Sequence, residues 1–96
     1  MNSLQAIDAF MRDKGITYGQ SSARGISICV NGKVLATVAA DVIFSCRESS
    51  CYVHLISDQL NEYEVSELYS TEMQDFYYNG SELEVLNYDG SEIIIE

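Results

Sequence analysis

Four side chains of this sequence can ligate a soft metal: Cys29, Cys46, Cys51 and His54. Zinc sites usually draw paired ligands from a tight knuckle such as C-x2-C. Here Cys29 stands alone, and Cys51 and His54, three apart in a strand, point to opposite faces. The reading is therefore no bound metal. Cys46 and Cys51 flank a four-residue loop, across which a disulfide is within reach under oxidation. An odd number of cysteines fits buried free thiols better than a disulfide framework. Asn87-x-Asp89-Gly90-x-Glu92 offers oxygen ligands but not the twelve-residue spacing and distal bidentate Glu of an EF-hand, so it reads as a solvated hairpin turn.

Nucleophilic catalysis needs a Cys or Ser, a base and an orienting group placed together. The single histidine, His54, sits in an apolar stretch with no nucleophile motif around it, and reads as an ordinary strand residue. Gly15, Gly19 and Gly25 match neither a phosphate-binding loop nor a dinucleotide fingerprint. The expectation is a protein that is not an enzyme and holds no cofactor.

Charge is the feature that asks for a function. The net of −10 conceals two unlike halves: all five basic residues (Arg12, Lys14, Arg24, Lys33, Arg47) precede position 48, beside Asp8, Asp13 and Asp41. From Glu48 to Glu96 there are twelve acids and neither Lys nor Arg. Soluble surfaces normally intersperse both signs, because a one-signed field repels itself. Direct nucleic-acid binding is disfavoured, since phosphate neutralisation by Lys and Arg supplies most non-specific affinity. A polybasic membrane contact is excluded on the same ground.

The acidic and aromatic stretch from Glu62 to Glu92 holds five of the seven tyrosines. The candidate partner-binding set is Glu62, Tyr63, Glu64, Glu67, Tyr69, Glu72, Asp75, Tyr77, Tyr78, Glu82, Glu84 and Glu92. Carboxylates two apart on a strand, as in Glu62 and Glu64 or Glu82 and Glu84, project from one face about 6.5 to 7 Å apart. Such a ladder attracts cations at long range, and tyrosine adds rigid contact area with a polar tip. The alternative is an acidic face that confers only solubility, with the tyrosines filling the core. The absence of Lys and Arg over forty-nine residues favours function.

The elements that must position these groups are legible in part. Ser3 reads as an N-cap, after which Leu4, Ile7, Phe10 and Met11 recur at helical spacing until Gly15, with Asp8 and Arg12 paired on the solvent side. Gly15 to Gly25 reads as a loop, with at most a short extended piece at Ile16 to Tyr18. Ile26 to Val30 alternates into Asn31-Gly32, a two-residue hairpin turn, and Lys33 to Ala39 returns. A second hairpin pairs Val42 to Cys46 with Cys51 to Ile56, and a third pairs Glu82 to Leu86 with Ser91 to Ile95. Alternation weakens at Val34-Leu35 and at Val42-Ile43-Phe44, which predicts strands covered on both faces. A short strand is expected around Glu62 to Val65. Val65, Leu68, Tyr69, Met73, Phe76 and Tyr77 fall at helical spacing, which predicts a second helix over 67–78, ended by Asn79-Gly80.

The expected fold is one α+β domain over 1–96: an antiparallel sheet of three β-hairpins, an N-terminal helix and the second helix near 67–78. Met1 to Gly15 lacks a basic leader followed by a continuous apolar run, and the expected location is cytoplasmic. In charge pattern and size the chain is similar to phage-encoded nucleic-acid mimics, among them anti-restriction and anti-CRISPR proteins. The resemblance implies an inhibitor that occludes a basic, nucleic-acid-binding surface, on a nuclease or another nucleic-acid-binding protein. The alternatives are an immunity protein that neutralises a nuclease toxin, and a homo-oligomeric adaptor, as simple as a homodimer, in which the mildly basic first half meets the acidic second half of another copy.

Overall fold

The structure is a computed structural model of the 96-residue chain and describes residues 2–47, 50–63, 67–69, 74–87 and 90–96. Helix α1 (Ser3–Lys14) is capped by Asn2, whose side chain accepts from the Gln5 N–H at 2.8 Å while Gln5 Oε1 accepts from the Asn2 N–H at 2.9 Å. This reciprocal box places the cap one residue earlier than the Ser3 expected from sequence, because only Asn2 has a Gln three positions on. At the other end Gly15 takes the left-handed φ of 71°, and the Gly15 and Ile16 amides return to the Arg12 and Met11 carbonyls. That bond pattern is a Schellman stop, with Ile16 and Met11 both buried as its apolar clasp.

The strands are β1 (Ser21–Val30), β2 (Lys33–Arg47), β3 (Ser50–Ile56), β4 (Glu67–Tyr69), β5 (Gln74–Tyr78), β6 (Leu83–Asn87) and β7 (Glu92–Ile95). They form one antiparallel sheet in the order β4-β3-β2-β1-β7-β6-β5, with the three-residue β4 at one edge of six longer strands. Asn31 and Gly32 carry the two positive φ angles, 53° and 77°, that the β1–β2 turn demands. The second and third hairpins stand where the patterning put them, with Cys46 opposite Cys51 and Leu83 and Val85 opposite Ile95 and Ile93.

The sheet curls into a half-barrel around α1. Phe10 is fully buried, with its ring 6.0 Å from that of Phe44 on β2 and 5.9 Å from that of Tyr78 on β5. Four inter-strand steps separate β2 from β5, roughly 19 Å if the sheet were flat, yet their rings come within about 12 Å of each other. Only strong curvature reconciles the two. The concave side holds the core of Ile26, Val42, Phe44, Val53, Leu83 and Ile95 with Ile7 and Phe10, and a 3-10 helix (Asp58–Tyr63) adds Leu60. Among the described residues no helix is long and apolar enough to cross a membrane.

Several expectations are corrected. The second helix over 67–78 is absent: its ends are strands β4 and β5, and α1 is the only α-helix among the described residues. Phe76 and Tyr78 face inward while Tyr77 is exposed, which is the period of a strand, and backbone pairing with β6 outweighs the helical spacing. The strand expected at Glu62 to Val65 is 3-10 helix up to Tyr63, and Glu64 and Val65 lie outside the described residues. β1 begins at Ser21, inside the stretch read as loop, and β2 runs unbroken from Lys33 to Arg47. Val34 and Leu35 are not covered on both faces; they are 61% and 58% exposed, because β3 pairs only with Asp41 to Arg47 of β2 and leaves the start of that strand without it. Asn79-Gly80 ends a strand, its Asn79 side chain accepting from the Ser81 and Glu82 amides in the β5–β6 turn.

Since Phe10 joins both limbs of the curl, Phe10→Ala is expected to cost about 3 to 5 kcal/mol. Against a total of roughly 5 to 15 kcal/mol for a domain, urea denaturation should show a midpoint lowered by a large fraction.

Candidate interaction face

Strict alternation on the three C-terminal strands sorts their side chains. Phe76, Leu83, Val85, Ile93 and Ile95 are buried inward, leaving Asp75 and Tyr77 of β5, Glu84 and Leu86 of β6, and Glu92 and Ile94 of β7 on the convex face. Cross-strand pairing arranges that face in two rows. One runs Val34, Cys29, Glu92, Leu86, Asp75 and the other Thr37, Ser27, Ile94, Glu84, Tyr77.

Glu84 therefore lies diagonally from both Asp75 and Glu92, at the roughly 7 to 8 Å spacing of such positions, while Asp75 and Glu92 stand two inter-strand steps apart, roughly 10 Å. They surround a shallow depression of about 250 Å³ whose remaining lining is Tyr77 and Leu86. At the diagonal spacing two unit charges repel by about 0.5 kcal/mol in water. Among the described residues no ion pair relieves this repulsion.

Three of the five cations of the N-terminal half are engaged elsewhere. Arg12 pairs with Asp8, Lys14 Nζ lies 5.8 Å from the centre of the Phe10 ring, and Arg24 Nε donates to Ser22 Oγ at 2.9 Å. Comparison with models of known families, with curated proteins and with solved structures gave no match.

Of the twelve positions singled out in the sequence, the fold brings Asp75, Tyr77, Glu84 and Glu92 together. Tyr78 belongs to the opposite face, where it stacks on Phe10 and donates to Asp13 at 2.6 Å; that bond, then burial and the Asp13 charge, raises its phenol above the usual range. Glu82 lies half-buried in the β5–β6 turn. Glu67 and Tyr69 stand in β4, at the far edge of the sheet from β5, and Glu62 and Tyr63 lie in the 3-10 helix. Glu64 and Glu72 fall outside the described residues. Leu86 was not singled out, although Leu83 and Val85 facing inward already implied that it faces out.

The groups weighed for chemistry are dispersed. Cys29 pairs with Val34 and His54 with Ile43, nine residues apart along β2, a contour of roughly 30 Å. Cys51 is buried inward, with His54 on the other side of β3. Among the described residues no group of three His, Cys, Asp or Glu side chains is placed to hold a metal. Cys51 is disulfide-bonded, which corrects the free thiol expected there; direct cross-strand opposition supplies the proximity that sequence spacing only allowed. Cys29 is free and buried as expected, but on the convex side beside Glu92 and outside the core cluster.

Burial, and then the Glu92 carboxylate, push the Cys29 thiol above its ordinary range. Because the folded thiol keeps its proton to higher pH than the unfolded one, this stabilisation is full below the unfolded value and is lost as pH rises through the folded one. Alkylation of the oxidised protein, followed by the mass of the peptide spanning 25–33, should show a pH profile displaced upward from that of the denatured chain. Glu92→Gln should move it back down.

Proposed function

We propose that this protein binds a nuclease or other nucleic-acid-binding protein and occludes its basic surface, standing in for the nucleic acid. The observation that carries this reading is the convergence of Asp75, Glu84 and Glu92 around exposed Tyr77 and Leu86, on a face that Arg12, Lys14 and Arg24 do not neutralise. A groove built to hold phosphates presents Lys and Arg at closely spaced positions. Carboxylates fixed on a paired sheet offer such a groove negative charge at set intervals, with no side-chain scaffold left to order. The remaining acids of the segment after Glu48, unrelieved by any Lys or Arg, extend the field and accelerate encounter.

Tyr77 supplies what charge alone does not. It is 60% exposed, two strands from Ile94 in the same row, and adds contact area that outlasts the encounter. The inhibitor acts by stoichiometric occlusion, so its potency follows the lifetime of the complex.

The test is capture from lysate at low salt on immobilised protein, followed by a nucleic-acid binding assay on the captured protein. Saturating amounts of this chain should abolish that binding, and the association rate should fall roughly tenfold or more as salt is raised. The triple variant Asp75→Asn, Glu84→Gln, Glu92→Gln should associate slowly at all salt concentrations. Undiminished nucleic-acid binding, or an on-rate indifferent to salt, overturns the proposal.

A further inference from the structure

We infer that the tip of the β1–β2 hairpin is a second, apolar half of the same docking surface, and that the partner carries an apolar contact site beside its basic one. This rests on the reading of the acidic face given above. At the tip Val34, Leu35 and Val30 are 61%, 58% and 37% exposed. A single exposed aliphatic residue needs no explanation, whereas Val34 and Leu35, adjacent and both on the convex side, mark a contact surface, with Val30 beside them on the other side of β1.

The local structure presents them deliberately. Ile28 pairs with Ala36 and Cys29 with Val34, so Leu35 is the extra residue of a β-bulge, a device that re-aims side chains. The Asn31-Gly32 turn fixes the two arms, so little freedom remains to be lost on docking. Val34 heads the convex row that continues through Cys29 and Glu92 to Leu86 and Asp75. Leu86 lies three inter-strand steps from Val34, roughly 14 Å, inside the ~28 Å breadth of a standard interface of about 800 Å² per partner.

The occupant follows from charge. A chain of net −10 is repelled by anionic lipid and by its own copies, while the depression at one end of the row asks for cations. The matching partner is a protein surface whose Lys and Arg cluster meets Asp75, Glu84 and Glu92 and whose apolar site, about 14 Å away, receives Val34 and Leu35.

Two synthetic ten-residue peptides of equal charge serve as probes, one alternating Arg and Leu, the other Arg and Ser, titrated into 15N-labelled protein. Both should shift the amides of Glu84, Leu86 and Glu92. Only the Arg-Leu peptide should also shift Val30, Val34 and Leu35, and it should bind roughly tenfold more tightly. Val34→Ser with Leu35→Ser, both at exposed positions, should remove that advantage while leaving the salt dependence of both peptides unchanged. Equal footprints and affinities for the two peptides overturn this inference and leave the acidic-face reading standing. No shift on β6 and β7 with either peptide overturns both. Binding to phosphatidylcholine vesicles, or self-association, that depends on Val34 and Leu35 overturns the inference in favour of a lipid or a second copy.

Discussion

Phe10 holds together two limbs of a sheet that would otherwise lie apart. Its ring meets Phe44 edge-on and Tyr78 nearly parallel, and both contacts exist only if the strands between β2 and β5 wrap around the helix. Aromatic pairs of this kind contribute about 0.5 to 1.5 kcal/mol beyond their buried area. The wrapping has a geometric consequence for the other side of the sheet. Every residue that alternation excludes from the concave core is thrown onto a convex surface that α1 does not cover, and the acids of β5, β6 and β7 are among them.

The same alternation explains why the hairpins were legible and the segment after Tyr63 was not. Asn31-Gly32 and the β-branched runs around it carry their instruction locally, in residues that tolerate positive φ and in a period of two. Gln74–Tyr78 carries no such local instruction. Phe76 and Tyr77 adjoin a helical series with Leu68, Tyr69 and Met73, and only pairing with β6, nearby in sequence but invisible in composition, decides for strand. Val34 and Leu35 misled in a related way: an unbroken apolar pair reads as doubly covered, whereas here it marks a bulge on a hairpin that outruns its neighbour.

The acidic face was partly legible for a physical reason. Spacing of two along a strand places carboxylates on one side, and this correctly separates Glu84 from Leu83 and Val85. Which strands become neighbours is a property of the whole fold. Sequence order therefore could not assemble Asp75, Glu84 and Glu92, nor separate Tyr77 from its adjacent Tyr78, whose hydroxyl is turned to Asp13. Electrostatics and packing thus use opposite faces of the same three strands.

Ser3 adds a constraint of another kind. With Asn2 taking the capping role, the Ser3 hydroxyl is released to accept the Phe76 amide at 3.1 Å on β5, the last strand of the sheet. The opening turn of the helix thereby acts as a latch on an otherwise vacant strand margin, of the sort that templates the stacking of one molecule on the next. Losing that turn would bare the margin for pairing with another chain, so the helix that fills the core also guards the edge of the sheet.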